Sequence, residues 1–220
     1  MRVATHDRGS SDVSVRSAFV DSLQSFRDLA NDDAVGRAWR EPSAVAGYSV
    51  AGLVGHVLST ASAVERYLDA EPGSGAPIVK GAYYAAVPTT ADATDLHRDI
   101  RARGERLGEQ GQRAVVEAFD ALGVRLRARL AVEPAVRTVV VMGANAMRLD
   151  DYLETRIVEL AVHSDDLAAS ARLVVNTPPA AASIAVEHLL AVARQRHGDL
   201  ALLRAFARSE RDETAALRVF

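Results

Sequence analysis

The stretch that most constrains this chain runs from Asp150 to Ala169, DDYLETRIVELAVHSDDLAA. Its spacing predicts a helix. With about 100° of rotation per residue, Tyr152, Thr155, Arg156, Glu159, His163 and Asp166 fall into one polar stripe. Leu153, Ile157, Leu160 and Leu167 flank it on one side, and Val158, Val162 and Ala169 on the other. Glu154, Ala161, Asp165 and Ala168 lie opposite, so the expected solvent face is Glu154/Asp165 and the polar stripe points inward. An ordinary amphipathic helix puts its charge opposite its apolar arc. A carboxylate and an imidazole turned into a core lose hydration that partners or a metal must replace. The stripe is therefore a candidate site.

Composition narrows what that site can do. The chain has 220 residues, 49% of them hydrophobic, enough for one sizeable domain or a domain with an appendage. Its net charge is −3, and Lys80 is the one lysine among 26 basic residues, which gives no basic tract suited to nucleic acid. No apolar run has the length of a signal-peptide core or a membrane span, so a cytoplasmic protein away from membranes is expected. With no cysteine there is no disulfide, no thiolate-rich zinc site and no protein-borne thiol nucleophile. Thiol chemistry in this chain needs a borrowed thiol.

Three further helices and a tail are expected. Residues 1–11 are polar and read as a flexible N-terminus. Val15, Phe19, Leu23, Phe26 and Leu29 mark a first helix ending near Asn31, followed by a loop from Asp32 to Tyr48. Ser49 caps a second helix reaching about Ala70, with Leu53, Val57, Val64 and Leu68 on its core side. His56 borders that side, in line with Gly52, Thr60, Ala63 and Tyr67. Glu71 to Thr90 is a long crossover carrying Lys80, Tyr83 and Tyr84, expected to contact substrate. From about Thr94 to Ala131 runs one kinked helix or two, its middle weakened by Gly104, Gly108 and Gly111. The run from Arg137 to Ala144 is β-prone, and Asp150 is the expected cap of the last helix. Beyond Ala171, LVV and the final AALRVF read as strands around a helix that starts near Thr177-Pro178 and stops at Gly198, giving a small α/β extension.

Glu159 and His163, one turn apart, put their Cβ atoms within about 6 Å. With His56 they make a His, His, Glu set, three protein ligands that leave a fourth zinc position open. His97, between charged neighbours, is set aside. The alternatives are a Glu159–Arg156 pair within the helix and a satisfied core histidine at position 163.

The blocks LDDYLETRIVELAVHSDDLA and GYSVAGLVGHV, the latter after the Trp-containing AWREPS, resemble the mycothiol-dependent maleylpyruvate isomerase family of the DinB/YfiT-like metalloenzymes. Tyr48 stands where that family usually has Trp, and the segment after the last bundle helix is shorter than the isomerase's C-terminal domain. The resemblance implies an all-α antiparallel four-helix bundle over 12–170, with the extension at 171–220. It implies a divalent metal, usually zinc, on His56, Glu159 and His163. It further implies mycothiol as the thiol cofactor, added to a small electrophile for S-transfer or cis–trans isomerisation. Arg156 and Asp166 are assigned to the cofactor-binding part of the site, where they orient its ligands or else form a helix-internal ion pair. A metal-dependent hydrolase and a non-catalytic metal-binding bundle remain alternatives, and a homodimer is compatible with the sequence.

Overall fold

The computed structural model describes residues 14–85, 92–141 and 145–207. These are mostly helical: α1 (Val15–Ala30), α2 (Asp33–Ala38), α3 (Val50–Asp69), α4 (Ala82–Ala85), α5 (Asp92–Gly108), α6 (Gln112–Val132), β1 (Thr138–Val141), β2 (Asn145–Arg148), α7 (Leu149–Ala171), α8 (Pro179–His197) and α9 (Asp199–Ala207). The expected flexible N-terminus and the AALRVF strand lie outside the described residues.

Four long helices surround the core. α1 packs on α6 and α7, and α3 packs on the same two, so the four close into a ring of pairwise contacts. Phe19, Phe26, Leu53, Leu68, Phe119, Leu122, Leu126 and Leu153 fill it with no more than 2% exposure. Each such side chain contributes about 1.5–3 kcal/mol of burial. Phe26 and Phe119 meet with ring centroids 5.5 Å apart, joining α1 to α6. Arg16 on α1 ties two ends together. Its guanidinium donates to the carbonyls of Leu130, Glu133 and Pro134 at the end of α6 and to Asp150 at the start of α7. No helix among the described residues is long and apolar enough to cross a membrane.

Several local expectations are met, and others are corrected. Ser49 caps α3, its hydroxyl accepting from Gly52 N at 2.9 Å. The Asp32–Tyr48 segment is not all loop, because Asp32 accepts from Ala34 N at 2.7 Å and nucleates α2. The helix expected after Thr94 is two, separated at Gly111, whose φ of +88° no other residue type adopts readily. α7 starts at Leu149 directly after β2, so Arg148 and not Asp150 is its N-cap residue. The β-prone run does form a strand, pairing antiparallel with β2 from Thr138↔Arg148 to Val141↔Asn145. This hairpin is the sheet of the described residues, and it precedes α7 instead of lying in the tail. Leu173–Val175 form no strand, and Val174 is 92% exposed. The described tail is helical, α8 lying on α7 and α9 on α8.

The glycines of α5 have a different role from the one expected. α5 packs against α3. A Cβ at Gly104 would meet Gly52 O at 2.6 Å and His56 N at 3.0 Å, and one at Gly55 would collide with Gly104 O. Gly108 stands equally close to Ala51. These positions allow close backbone contact, while Leu96 near the start of α5 is left 47% exposed. The contact is fixed by polar groups at its ends. Glu105 accepts from Ser49 N at 2.8 Å and Ser49 Oγ at 2.7 Å, and the Trp39 indole donates to Gly108 O at 3.1 Å. A substitution where the added Cβ has room should act oppositely. At Gly123 nothing lies within 4 Å of it, so Gly123→Ala should raise stability by about 0.5–1 kcal/mol in a denaturant titration through helix propensity.

Candidate metal centre

α3 and α7 bring the site together. His56 comes from the border of the α3 core face, and Glu159 and His163 from successive turns of α7. Glu159 Oε2 lies 3.5 Å from His56 Nε2 and 3.5 Å from His163 Nε2. The three ligand atoms are all within 4.8 Å of one another, and the two imidazoles cross at 88° with centroids 5.1 Å apart. Charge-assisted hydrogen bonds are shorter, about 2.7–2.9 Å. A tetrahedral centre with ligands near 2.1 Å spaces its donors about 3.4 Å apart, the separation seen on both Glu159 edges. The donor set and its spacing therefore fit a divalent cation.

The inward stripe is real. Tyr152 and Thr155 are fully buried, Arg156 is 6% exposed, and Glu159, His163 and Asp166 are half-buried. Asp165 faces solvent as expected, but Glu154 does not. α8 covers it, and its Oε2 accepts from His188 Nδ1 at 2.9 Å and from Lys80 Nζ at 2.7 Å. Both partners hold its carboxyl below the usual range although burial opposes this. Gly52, in line with His56 on α3, faces Glu105. His97 is exposed.

Asp166 Oδ2 stands 2.9 Å from His163 Nδ1. This contact assigns the Nδ1–H tautomer when the ring is neutral and points the Nε2 lone pair at the site, as carboxylate partners of metal-binding histidines do. The Nδ1 of His56 has no such partner and is buried. Packing holds that ring, with Tyr48 at 5.6 Å on one side and His163 on the other. Arg156 does not pair with Glu159. Its Nε donates to Thr155 Oγ1 at 3.1 Å, and its guanidinium lies over the rings of Tyr152 at 5.0 Å and Tyr83 at 5.5 Å. From the crossover, Tyr84 turns inward. Its hydroxyl lies 3.0 Å from Thr155 O and 3.3 Å from Glu159 Oε1.

Charge among the site residues is balanced internally. Burial works to raise the Glu159 pKa, but the imidazoles of His163 and His56, with Arg156 nearby, hold it well below the carboxylate range. Burial likewise disfavours a charged His163, yet Asp166 and Glu159 outweigh it and raise its pKa to about 9. A raised folded-state pKa stabilises the fold fully below the unfolded value near 6.5 and is lost as pH rises through about 9. The melting temperature of metal-free protein should therefore fall between about pH 6.5 and 9. Asp166→Asn should flatten that fall, and an unchanged slope in the variant would contradict the pairing.

Sequence reasoning missed His188. It is fully buried, with Nδ1 on Glu154 and its ring edge-on to Tyr84 at 5.8 Å. The signal was present in Ala181, Ala185, His188 and Val192, a helical stripe of otherwise apolar residues, all buried.

The fold and the His, Glu, His cluster define a helical protein with a candidate metal centre between two core helices. The chain belongs to the family described as the mycothiol maleylpyruvate isomerase N-terminal domain, which matches residues 19–168. That span contains all three site residues and ends before α8. No curated protein and no solved structure gives a match.

Proposed function

We propose that this protein is a zinc-dependent enzyme that uses mycothiol to transfer sulfur to, or isomerise, a small electrophile. The observation that carries the reading is Glu159 Oε2 set 3.5 Å from both imidazole Nε2 atoms, too long for strong hydrogen bonds and suited to a shared cation. In this reading His56, Glu159 and His163 are the ligands, and the ring of α1, α3, α6 and α7 is a DinB-type antiparallel bundle spanning 12–170, with 171–220 as its extension. A divalent ion held by two neutral imidazoles and one carboxylate keeps net positive charge and favours the thiolate form of a thiol beside it.

The other residues prepare that site. Asp166 orients His163 by accepting a hydrogen bond from Nδ1–H, so that the Nε2 lone pair stays available. Arg156 is a buried cation with no carboxylate in ion-pair range among the described residues. Stacked on Tyr83 and Tyr152, it is placed to meet an anionic group of the bound cofactor or its partner. Tyr152 and Tyr67, edge-on at 5.1 Å, close that side with apolar surface. The absence of cysteine fits a thiol brought from outside.

The test is a panel of electrophiles, maleylpyruvate included, incubated with zinc-loaded protein with and without mycothiol, and with Glu159→Gln as control. Turnover is expected only with both zinc and mycothiol, and glutathione should substitute poorly. Equal turnover without the thiol would establish the hydrolase reading instead. No turnover, together with no mycothiol binding by calorimetry, would make the protein a non-catalytic metal-binding bundle.

A further inference from the structure

The two oxygens of Glu159 have different neighbours. Oε2 faces the histidines, while Oε1 lies 3.3 Å from the Tyr84 hydroxyl. Tyr84 sits on α4, a four-residue helix that is too short to persist on its own. What holds α4 is α8. The Tyr84 ring meets the His188 ring at 79°, and Arg196 Nη2 donates to Tyr84 O at 2.8 Å. Gly81, at φ +88°, backs onto the main chain of Ala191, where a Cβ would stand 3.3 Å from the carbonyl. One residue earlier, Lys80 reaches Glu154 on α7, and the same carboxylate oxygen takes His188 Nδ1. The crossover is thus fastened to α7 and α8 through Lys80, Gly81 and Tyr84.

We infer that Tyr84 is a positioning residue that restricts Glu159 to presenting one oxygen to the ion, and that α8, outside the family domain, keeps Tyr84 in place. This rests on the metal-centre reading above. The single phenolic proton is shared between Thr155 O at 3.0 Å and Oε1 at 3.3 Å, and its share on Oε1 favours the orientation in which only Oε2 points at the site. It leaves a position open that a carboxylate binding through both oxygens would fill. Partners of this kind change metal affinity by about 10- to 100-fold.

The experiment is a chelator-competition titration of zinc, with the visible spectrum of the cobalt-substituted protein as a readout of coordination number. Tyr84→Phe keeps the ring against His188 and removes only the hydroxyl. It should weaken zinc binding by about tenfold or more and lower the cobalt absorption as a second Glu159 oxygen enters the coordination shell. His188→Ala should act in the same direction. The double variant should bind no more weakly than Tyr84→Phe alone, since His188 acts through Tyr84. Wild-type affinity and spectrum in Tyr84→Phe would overturn the proposal while leaving the metal centre intact. Unchanged affinity in His188→Ala, or strictly additive losses in the double variant, would overturn the part assigned to α8. A wild-type protein that takes up no ion would overturn both this inference and the metal-centre reading.

Discussion

His163→Ala and His56→Ala proteins should each be isolated without zinc under conditions in which the wild type carries one ion per chain. Zinc sites with four protein ligands bind with roughly 10–16 kcal/mol, or about 3 kcal/mol per ligand, so losing one of three should cost at least a hundredfold in affinity. The two variants should differ in what else they lose. His163 is hydrogen-bonded to Asp166 and faces Glu159, so its removal takes a hydrogen-bond partner from Asp166 and one of two imidazoles from Glu159 and should lower the melting temperature of the metal-free protein as well. His56 has no hydrogen bond on Nδ1 and only the long contact to Glu159. Its replacement should empty the site at smaller cost to the fold. Metal analysis after dialysis, with thermal melts of the metal-free proteins, measures both quantities. Retention of stoichiometric zinc in either variant would refute the ligand assignment.

The second large effect is expected at a residue that has no side chain. Gly104→Ala should destabilise the protein although alanine is the better helix former by about 1 kcal/mol. Its methyl would stand 2.6 Å from Gly52 O and 3.0 Å from His56 N, and both are main-chain atoms of α3 that no rotamer change can move. α3 and α5 must separate. Overpacking of this kind costs about 1–3 kcal/mol, which for a chain of this length lowers the melting point by about 2–4 °C per kcal/mol. Because the displaced backbone carries His56, zinc affinity should fall too, although no ligand has changed. A Gly104→Ala protein as stable as the wild type would refute the main-chain contact between α3 and α5 at this position.

The helices themselves were legible because hydrophobic spacing is a local property. Val15 to Leu29, the Ser49 cap and the Leu53, Val57, Val64, Leu68 stripe could each be placed without knowledge of the rest of the chain. So could the inward stripe of α7, whose polar residues occupy the place where an apolar arc is expected. His56, Glu159 and His163 came from that stripe, helical spacing and the family resemblance, and the structure sets them within reach of one ion.

What failed concerns partners distant in sequence. Glu154 was assigned to solvent because nothing in α7 reveals that α8 will cover it, and His188, 34 residues on, is what makes its burial tolerable. The α5 glycines look like helix weaknesses in one dimension, and only the approach of α3 turns them into contact points. Leu173–Val175 have strand composition but meet no strand among the described residues to pair with, and β propensity without a partner carries no ladder hydrogen bonds. The sequence by itself determined where the long helices of the core run and which face of α7 carries the polar stripe, since both follow from periodicity along one segment. The tertiary structure alone decided that Tyr84 meets Glu159 across 75 positions and that α8 holds it there. Such contacts depend on how whole helices pack, which no local pattern encodes.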